Sequence, residues 1–404
     1  MRRAQTNLLP PSRRSVSEGA DAAIADVLFR ALQAAAVGAA ADEADVPHGF
    51  HSWPAGMHPA IAMTLLDAFE GDVVDPFSGG GTVGLEALLH QRRFFGVDLN
   101  PLSARIGAVR CRPRDADSVA AVSAVVDLVT ERSKERVRRK VRVRAAVSAD
   151  VATAYLPHTL LELAGLLEEI AAVTDDDVKK TLAVVFSSIL TKVSLRRGDT
   201  DVGGTEVDGA EASTAAKRVG RFFPSELFQQ KAQQLLTRQH GLWRRVGMQG
   251  PKPVFVVDDA RRLPELVKRT QLIVSSPPYG GTYDYAFHHA HRLAFLRLDD
   301  TALRAGELGA RRNGTDAKGF DDDVTAMLTA MASVLDDDGL VILLVGDGHV
   351  GGRRVAADAQ LAALAPAAGL VVRASASAPR RDWRGGPDRE EHLVALGHAS
   401  LKKA

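Results

Sequence analysis

Two short segments carry residue types that could bind a nucleotide-like ligand and act on it. Residues 75–84 read DPFSGGGTVG, which contains the spacing G-x-G-x-x-G, and Asp98 ends the next apolar run. Glycines at this spacing let a ligand lie against the backbone at the positive end of the following helix, and a carboxylate at Asp98 can accept from ribose hydroxyls. The pattern is typical of a nucleotide site, including a dinucleotide site, and equally of a tight turn without a ligand.

The second segment is Ser276-Pro277-Pro278-Tyr279, which follows the apolar run QLIVS. The two prolines fix the backbone, so a main-chain carbonyl and a flat aromatic ring would be held rigidly. Taken alone, the motif is as typical of a turn after a buried strand as of a site. Its position on a strand downstream of the glycine loop favours the site.

The elements that must position these segments alternate between strand and helix. DVVDPF, VGLEALLHQ and RFFGVDL predict a strand, a helix and a parallel strand. Residues 101–252 show mainly helical spacing, and strands resume in PVFVVDDA, QLIVSS, GLVILLVGDG, GLVVRASAS and HLVALGH. We therefore predict an α/β fold, a doubly wound and mostly parallel sheet of Rossmann-like type, with a helical insertion after the second strand.

This pattern divides the chain into four parts. We expect an N-terminal tail and helix over 1–46, the first part of a catalytic α/β domain over 47–100, the helical insertion over 101–252 and the second part of the catalytic domain over 253–404. The insertion interrupts the sheet on its ligand side, which makes it a candidate for target recognition. The basic, Pro- and Ser-rich start of the chain predicts an unstructured tail and not a signal peptide.

Composition excludes several classes of protein. The formal net charge is +1, from 51 Lys plus Arg against 50 Asp plus Glu, so polyanion binding must come from local patches. The single cysteine, Cys111, excludes an intramolecular disulfide framework and a Cys-based zinc site, and we expect no metal. No uninterrupted run of about eighteen apolar residues predicts a membrane span. We expect a cytoplasmic protein without a membrane partner.

Three segments together resemble a known family. DPFSGGGTVGLEALLHQRRFFGVDLNP resembles motifs I and II of the S-adenosylmethionine-dependent DNA amino-methyltransferases, and SPPY resembles their catalytic motif IV. HGFHSWPAGMHP, at 48–59, resembles their motif X, which helps to close the methionine pocket. The likeness covers about 47–100 and 253–397. It implies the class I methyltransferase fold, S-adenosylmethionine as cofactor and double-stranded DNA as substrate, and it allows for a restriction endonuclease partner in a restriction-modification system.

The resemblance also implies which residues hold the cofactor. They lie in the motif X segment, in the glycine loop and at two strand ends: Ser52, Pro54, Asp75, Pro76, Phe77, Gly79, Gly81, Thr82, Asp98 and Asp259. Asp75 would orient the loop or meet the methionine amino group, and Phe77 would pack against the cofactor. Asp98 would accept from both ribose hydroxyls. Asp259 would accept from the adenine amino group, with the adjacent Asp258 as its competitor.

The SPPY loop implies methyl transfer to an exocyclic amino nitrogen, which is a poor nucleophile because its lone pair is delocalised into the ring. The Ser276 oxygen and the Pro277 carbonyl would accept both amino hydrogens, while Pro278 stiffens the loop. Tyr279 would stack on a base extruded from the duplex. The methyl group then moves in line from sulfur to nitrogen, so positioning and electrostatics do most of the work.

The first residue of the catalytic motif bears on the choice of base. Serine is commoner there in cytosine-N4 enzymes, whereas Asp or Asn marks many adenine-N6 and guanine-N2 enzymes. We therefore predict a site-specific DNA methyltransferase acting on cytosine N4. The alternatives are adenine N6 in DNA, an RNA base such as guanine N2, and a nucleic-acid-binding protein that keeps this fold without catalysis. Cys111 lies far from every motif, which argues against cytosine-C5 methylation.

Three basic segments are candidates for nucleic-acid contacts. Residues 131–144 read ERSKERVRRKVRVR, with eight basic and two acidic side chains, and are equally typical of a solvated helix face. Lys192 precedes a second basic pair, and a tryptophan flanked by arginines forms the third segment. The residues expected to contact nucleic acid are Arg138, Arg139, Arg142, Arg196, Arg197 and Trp383.

Overall fold

The computed structural model of the protein describes residues 8–11, 13–15, 21–38, 45–141, 145–195, 220–310, 316–381 and 389–399. The strands are β1 (Arg13–Ser15), β2 (Val73–Asp75), β3 (Phe94–Asp98), β4 (Val254–Val257), β5 (Thr270–Ser275), β6 (Leu335–Gly346), β7 (Gly348–Val350), β8 (Arg353–Val355), β9 (Leu370–Arg380) and β10 (Arg389–His398).

Helices connect most of these strands. The described α-helices are α1 (Ala22–Ala36), α2 (Pro59–Ala68), α3 (Thr82–Leu89), α4 (Pro101–Arg110), α5 (Ala116–Arg138), α6 (Ala149–Ala152), α7 (Pro157–Ala171), α8 (Asp176–Leu190), α9 (Phe223–Val246), α10 (Leu263–Leu266), α11 (Tyr285–His288), α12 (Ala290–Leu296), α13 (Thr301–Gly306), α14 (Ala317–Val334) and α15 (Ala357–Leu364). Short 3₁₀ turns lie at Pro47–Gly49, Ala260–Arg262 and Ala365–Ala368.

One sheet of eight strands forms the centre of the molecule, in the order β1-β9-β10-β6-β5-β2-β3-β4. β2, β3, β4, β5 and β6 pair in parallel, whereas β10 lies antiparallel between β6 and β9. Apart from β1, this is the strand order of the class I methyltransferase fold, whose antiparallel strand is inserted next to the last parallel one. The predicted fold class is confirmed.

The central strands are apolar because helices cover both faces of the sheet. In β5, Leu272 and Val274 pack against α1, α2 and α3 on one side, while Ile273 packs against α14 and α15 on the other. All three side chains are buried. Alternate residues of β5 therefore belong to two different cores. Because a shift of one residue along the strand would exchange the two faces, this alternation fixes the pairing register of β5 in the sheet.

The helical insertion lies between β3 and β4. Helices α5, α7, α8 and α9 share an apolar core that includes Val126, Leu163, Phe186 and Phe228. This core continues into α4, the helix that packs on β3 and β4, and into α12, which follows the SPPY loop. The insertion is thus packed against the helices that flank the ligand side of the sheet. The division of the chain into four parts, at 1–46, 47–100, 101–252 and 253–404, remains a prediction from the sequence.

The start of the chain differs from the expectation. β1 pairs antiparallel with β9, and Leu8 forms an isolated bridge with Arg380, so the prediction of an unstructured tail is wrong for these residues. The physical reason is that β9 would otherwise leave its outer backbone groups unpaired at the edge of the sheet. Among the described helices, none combines the length and the apolar character that crossing a membrane requires.

Candidate active site

The glycine loop joins the end of β2 to the start of α3. Gly79 and Gly81 have φ values of +47° and +78°, a region that residues with a Cβ rarely adopt. A Cβ on Gly81 would lie 2.8 Å from the Cα of Gly107 in α4. The loop therefore turns sharply with its backbone close to α4, and no side-chain hydrogen bond caps the start of α3.

Asp98 ties this loop to the end of β3. Its Oδ2 accepts from the Gly79 amide and its Oδ1 from the Asn100 amide, each at 2.8 Å. Burial raises the pKa of the Asp98 carboxyl, although these two amides favour its charged form. A carboxylate oxygen has two lone pairs, so each oxygen can still accept one hydrogen bond from a ligand hydroxyl. This arrangement fits a ribose diol.

Asp75, at the end of β2, is 3% exposed. Its Oδ1 accepts from the Ser275 hydroxyl at 2.6 Å and from the Phe77 amide at 3.1 Å. Burial, with a smaller contribution from the charge of Asp98, raises the pKa of Asp75 to about 7. Ser275 immediately precedes the SPPY motif, so this bond couples the glycine loop to the catalytic loop. Sequence reasoning did not find it, because the two residues lie 200 positions apart.

A cavity of about 790 Å³, its open mouth included, lies between these loops. Its walls include seven of the residues expected to bind the cofactor and two of those expected in catalysis: Asp75, Pro76, Phe77, Gly79, Thr82, Asp98, Asp259, Ser276 and Pro278. Further residues of its wall include Trp53 and Met57 of the motif X segment, Tyr285 shortly after the SPPY loop, and Leu303, Glu307 and Leu308, to which sequence reasoning assigned no role.

The remaining cofactor candidates lie elsewhere. Gly81 packs against α4 and does not line the cavity, and Ser52 lines a neighbouring cavity instead. Pro54 lines neither. Asp259 lines the first cavity. Asp258 does not line it, and the Asp258 carboxylate pairs with Arg262 at 3.0 Å. Burial opposes ionisation of Asp259, but the paired Arg261 guanidinium holds the pKa of Asp259 below its usual range.

Trp53, between Ser52 and Pro54, forms a wall shared by both cavities. Its indole stacks on His289 with the ring centroids 4.4 Å apart, and a Cβ on Gly79 would lie 2.8 Å from its Nε1. Burial lowers the pKa of His289 well below its ordinary value, so the imidazole beneath the indole is neutral. A tryptophan in a loop of a chain with only 5% aromatic residues was the available sequence signal.

The neighbouring cavity is larger, about 1620 Å³, and more polar. It meets the first at Trp53, Ala55, Gly56, Met57 and Thr82. The rest of its wall comes mainly from the motif X segment, the insertion, the SPPY loop with the residues just after it, and the last strands. The polar residues of this wall include His51, His58, Ser188, Lys192, Lys231, Tyr279, Tyr283, Arg380 and Glu391. Two cavities that share part of their walls suit a transfer reaction between two ligands.

The SPPY loop follows β5 at the junction of the cavities. Ser276 Oγ is buried and has no hydrogen-bond partner among the described residues, which is unusual for a buried hydroxyl. Ser276 and Pro278 face the first cavity, and Tyr279 faces the second. The Pro277 ring lies behind the loop, in a small pocket that α14 and α15 also line.

Tyr279 is 6% exposed. Its ring packs against the backbone of Gly346, where an added Cβ would lie 2.7 Å from the ring, and it lies 5.8 Å from the Arg380 guanidinium. The hydroxyl donates to Glu391 over 3.4 Å. Burial, together with the charge of Glu391, raises the pKa of Tyr279, which stays protonated. The ring is therefore neutral and held rigidly between the backbone of Gly346 and the Arg380 guanidinium.

Of the predicted nucleic-acid residues, the two that the structure describes line neither cavity. Arg138 and Arg139 lie at the end of α5 and pair with glutamates of the same helix, Arg138 with Glu131 at 2.5 Å and Arg139 with Glu135 at 2.6 Å. Such exposed pairs partly cancel the charge of the segment. The other four candidates, Arg142, Arg196, Arg197 and Trp383, lie outside the described residues.

One group of metal-ligand types occurs among the described residues: Asp347, Glu390 and His392. Asp347 already bonds to Arg354 at 3.0 Å and to His392 Nε2 at 3.2 Å, and His392 Nδ1 bonds to Ser377 Oγ at 2.7 Å. None of these residues lines either cavity. We interpret the group as a polar network that joins β6, β9 and β10.

Comparisons with known proteins give distant similarities to methyltransferases. No family model matches the chain. Over 270 residues it is 22% identical to the type II methyltransferase M.MvaI of Kocuria varians, a match that covers 63% of this chain and only 58% of that relative. Among solved structures, it is similar to TrmN from Thermus thermophilus, at 14% identity over 84% of this chain and 48% of the other, with a TM-score of 0.29. The rRNA methyltransferase aviRa from Streptomyces viridochromogenes is 12% identical, over 88% and 93% of the two chains, with a TM-score of 0.34. These TM-scores are too low to carry an argument.

The sheet order and the loop at the end of β2 thus define a class I methyltransferase fold. S-adenosylmethionine is the methyl donor of that class, and the donor set of the first cavity fits it. The cavity reaches the glycine loop at Gly79, Asp98 can accept from a diol, and Asp75 is a buried acid without a cation among the described residues. The cofactor prediction is confirmed at the level of this class.

Proposed function

We propose that this protein transfers a methyl group from S-adenosylmethionine to an exocyclic amino nitrogen of a nucleic-acid base, with cytosine N4 in double-stranded DNA as the target. The observation that carries the proposal is the position of the SPPY loop. Ser276 and Pro278 face the cavity suited to the cofactor, while Tyr279 faces the second cavity. A base against Tyr279 would hold its amino group beside the methyl donor.

In this proposal the first cavity holds the cofactor by its acidic residues. Asp98 accepts from the ribose hydroxyls, Asp75 faces the methionine ammonium, and Asp259 accepts from the adenine amino group. Phe77 and Trp53 pack against the apolar parts of the ligand. S-adenosylmethionine supplies a methyl group on a positively charged sulfur, and the buried acids of the cavity favour that charge.

The catalytic loop acts by accepting hydrogen bonds. Ser276 Oγ is free for an amino hydrogen, and the Pro277 carbonyl is held in a fixed direction by the two prolines. Both acceptors gain strength as positive charge develops on the nitrogen, so they favour the transition state over the bound substrate. Tyr279 keeps the base in the plane that brings its amino group to these acceptors.

The choice of DNA and of cytosine has separate support. Similarity to a type II methyltransferase favours DNA, although it spans 58% of that relative. Serine at the first position of the catalytic motif, which resembles the cytosine-N4 enzymes, favours cytosine over adenine N6. Methylation of an RNA base such as guanine N2 is the alternative within the same chemistry. A restriction partner belongs to the proposal only through the resemblance, and a cytoplasmic location only through the sequence expectation given above.

The test is methyl transfer from S-adenosylmethionine carrying a labelled methyl group to double-stranded DNA and to RNA. We expect label in DNA, with turnover about 10- to 100-fold lower for Ser276→Ala, because a hydrogen bond to a group that gains charge is lost. Ser333→Ala is the matched control, since that hydroxyl donates to the Ala330 carbonyl in α14, away from both cavities. Undiminished turnover of Ser276→Ala would remove the serine from the reaction.

A further inference from the structure

Two lysines of the insertion lie together in the wall of the second cavity. Lys192 follows the end of α8, and Lys231 lies in α9. Their ammonium groups are close enough to interact directly, and desolvation in the cleft together with Lys231 lowers the pKa of Lys192 to about 8. Two neighbouring positive charges repel each other, and an anion bound between them would offset this electrostatic repulsion.

Carboxylates do not neutralise this pair. Within the described parts of the chain neither lysine has an acidic partner, and Lys231 Nζ donates instead to the neutral Gln234 Oε1 at 2.9 Å. Glu391, the carboxylate on the described wall of the cavity, is already paired with Arg380 at 2.6 Å. By contrast, Lys180 of α8 pairs with Asp176 at 2.6 Å. The two lysines of the cavity therefore keep positive charge that no described carboxylate neutralises, whereas the nearby Lys180 is neutralised by its ion pair with Asp176.

We propose that Lys192 and Lys231 together bind one phosphodiester group of the nucleic acid, beside the nucleotide whose base reaches Tyr279. This inference rests on the proposed function, which makes a nucleic acid the occupant of the cavity. A phosphodiester has a full negative charge and two non-bridging oxygens, so each lysine ammonium group can donate a hydrogen bond to a different oxygen. The insertion would in this way hold the backbone on one wall of the cavity while the SPPY loop holds the base on another.

The test is a binding measurement that does not depend on catalysis. Fluorescein-labelled double-stranded DNA and RNA of the same sequence are titrated with wild type and with Lys192→Gln/Lys231→Gln over a range of salt concentrations, read by anisotropy. We expect roughly 10-fold weaker binding at low salt and a slope of log affinity against log salt that is smaller by about 1. Lys192→Arg/Lys231→Arg, which keeps both charges, should bind nearly as wild type.

Lys179→Gln/Lys180→Gln is the matched control. These lysines lie on α8 about 18 Å from Lys192 along the helix axis, at 1.5 Å per residue, and they do not line the cavity. The control should keep the wild-type salt slope, and thermal melts followed by circular dichroism verify that all variants are folded. A weaker slope with both probes supports a shared phosphate site, and a change with one probe alone supports the site and identifies that nucleic acid.

Wild-type affinity and slope in the glutamine variant would overturn the phosphate site, as would a wild-type protein that binds neither probe. Methyl transfer is measured separately, so the two proposals can fail independently. Binding that depends on the lysines without any methyl transfer leaves the phosphate site standing and refutes the proposed function. Methyl transfer with no dependence of binding on the lysines does the reverse.

Discussion

Asp75 offers a way to separate the stability of the fold from the binding of the cofactor, by replacement with asparagine. Both of its hydrogen bonds, from Ser275 and from Phe77, end on Oδ1. The amide oxygen of Asp75→Asn can keep both, so the variant removes a buried charge without removing the bonds. The same variant loses the anion that we expect to face the methionine ammonium.

The magnitude follows from the pKa of Asp75, which burial raises from 3.8 to about 7. A shift of about three units corresponds to about 4 kcal/mol. Between pH 4 and 7 the folded protein binds a proton that the unfolded chain has released, so the free energy of unfolding of wild type falls as pH rises through this window. Asp75→Asn lacks this loss. The free energy of unfolding of Asp75→Asn should therefore exceed that of wild type by near zero at about pH 4 and by as much as about 4 kcal/mol above about pH 7.

Urea unfolding at a series of pH values measures this difference, and calorimetric titration with S-adenosylmethionine measures the cofactor. We expect the variant to be more stable above pH 7 and to bind the cofactor more weakly, a trade of stability for function that is common at active sites. Asp72→Asn, at an exposed position just before β2, is the control and should change neither quantity. A stability difference between Asp75→Asn and wild type that does not vary with pH would refute the reasoning.

Two further predictions concern the walls of the two cavities. Asp98→Ala should weaken S-adenosylmethionine roughly 10- to 100-fold, since charge-assisted hydrogen bonds to the ribose are lost; calorimetry showing wild-type affinity in a folded variant would remove Asp98 from the site. Tyr279→Ala should cost about 1–3 kcal/mol of substrate binding through lost stacking, with little effect on the cofactor. Tyr279→Phe should bind substrate as wild type, because the hydroxyl makes only a 3.4 Å bond; equal losses in both variants would contradict stacking.

Much of the fold could be predicted because it depends on local patterns. Apolar runs such as QLIVS form buried strands, and the glycines of residues 79–81 make the turn between β2 and α3. Since parallel strands end at the same edge of the sheet, Asp75, Asp98 and Ser276 had to lie near one another. The order of the motifs along the chain was therefore enough to indicate one cavity.

The rest depends on contacts between distant parts of the chain, for which a single sequence has no local signal. The bond from Ser275 to Asp75, the stack of Trp53 on His289 and the proximity of Lys192 to Lys231 all arise when separate elements pack together. The segment 131–144 shows the opposite case. Its basic residues looked available in the sequence, but helix geometry pairs two of them with glutamates one or two turns away.

Mass spectrometry of nucleosides tests the central claim most directly. In parallel reactions, the purified protein is incubated with double-stranded DNA or with RNA, in each case with S-adenosylmethionine whose methyl group carries a heavy isotope. The nucleic acid is then digested and its nucleosides are separated. The account predicts N4-methylcytosine that carries the label, and about 10- to 100-fold less of it in a Ser276→Ala reaction run for the same short time. Labelled N6-methyladenine would contradict the choice of base, and an absence of labelled nucleosides from both DNA and RNA would contradict the proposed function itself.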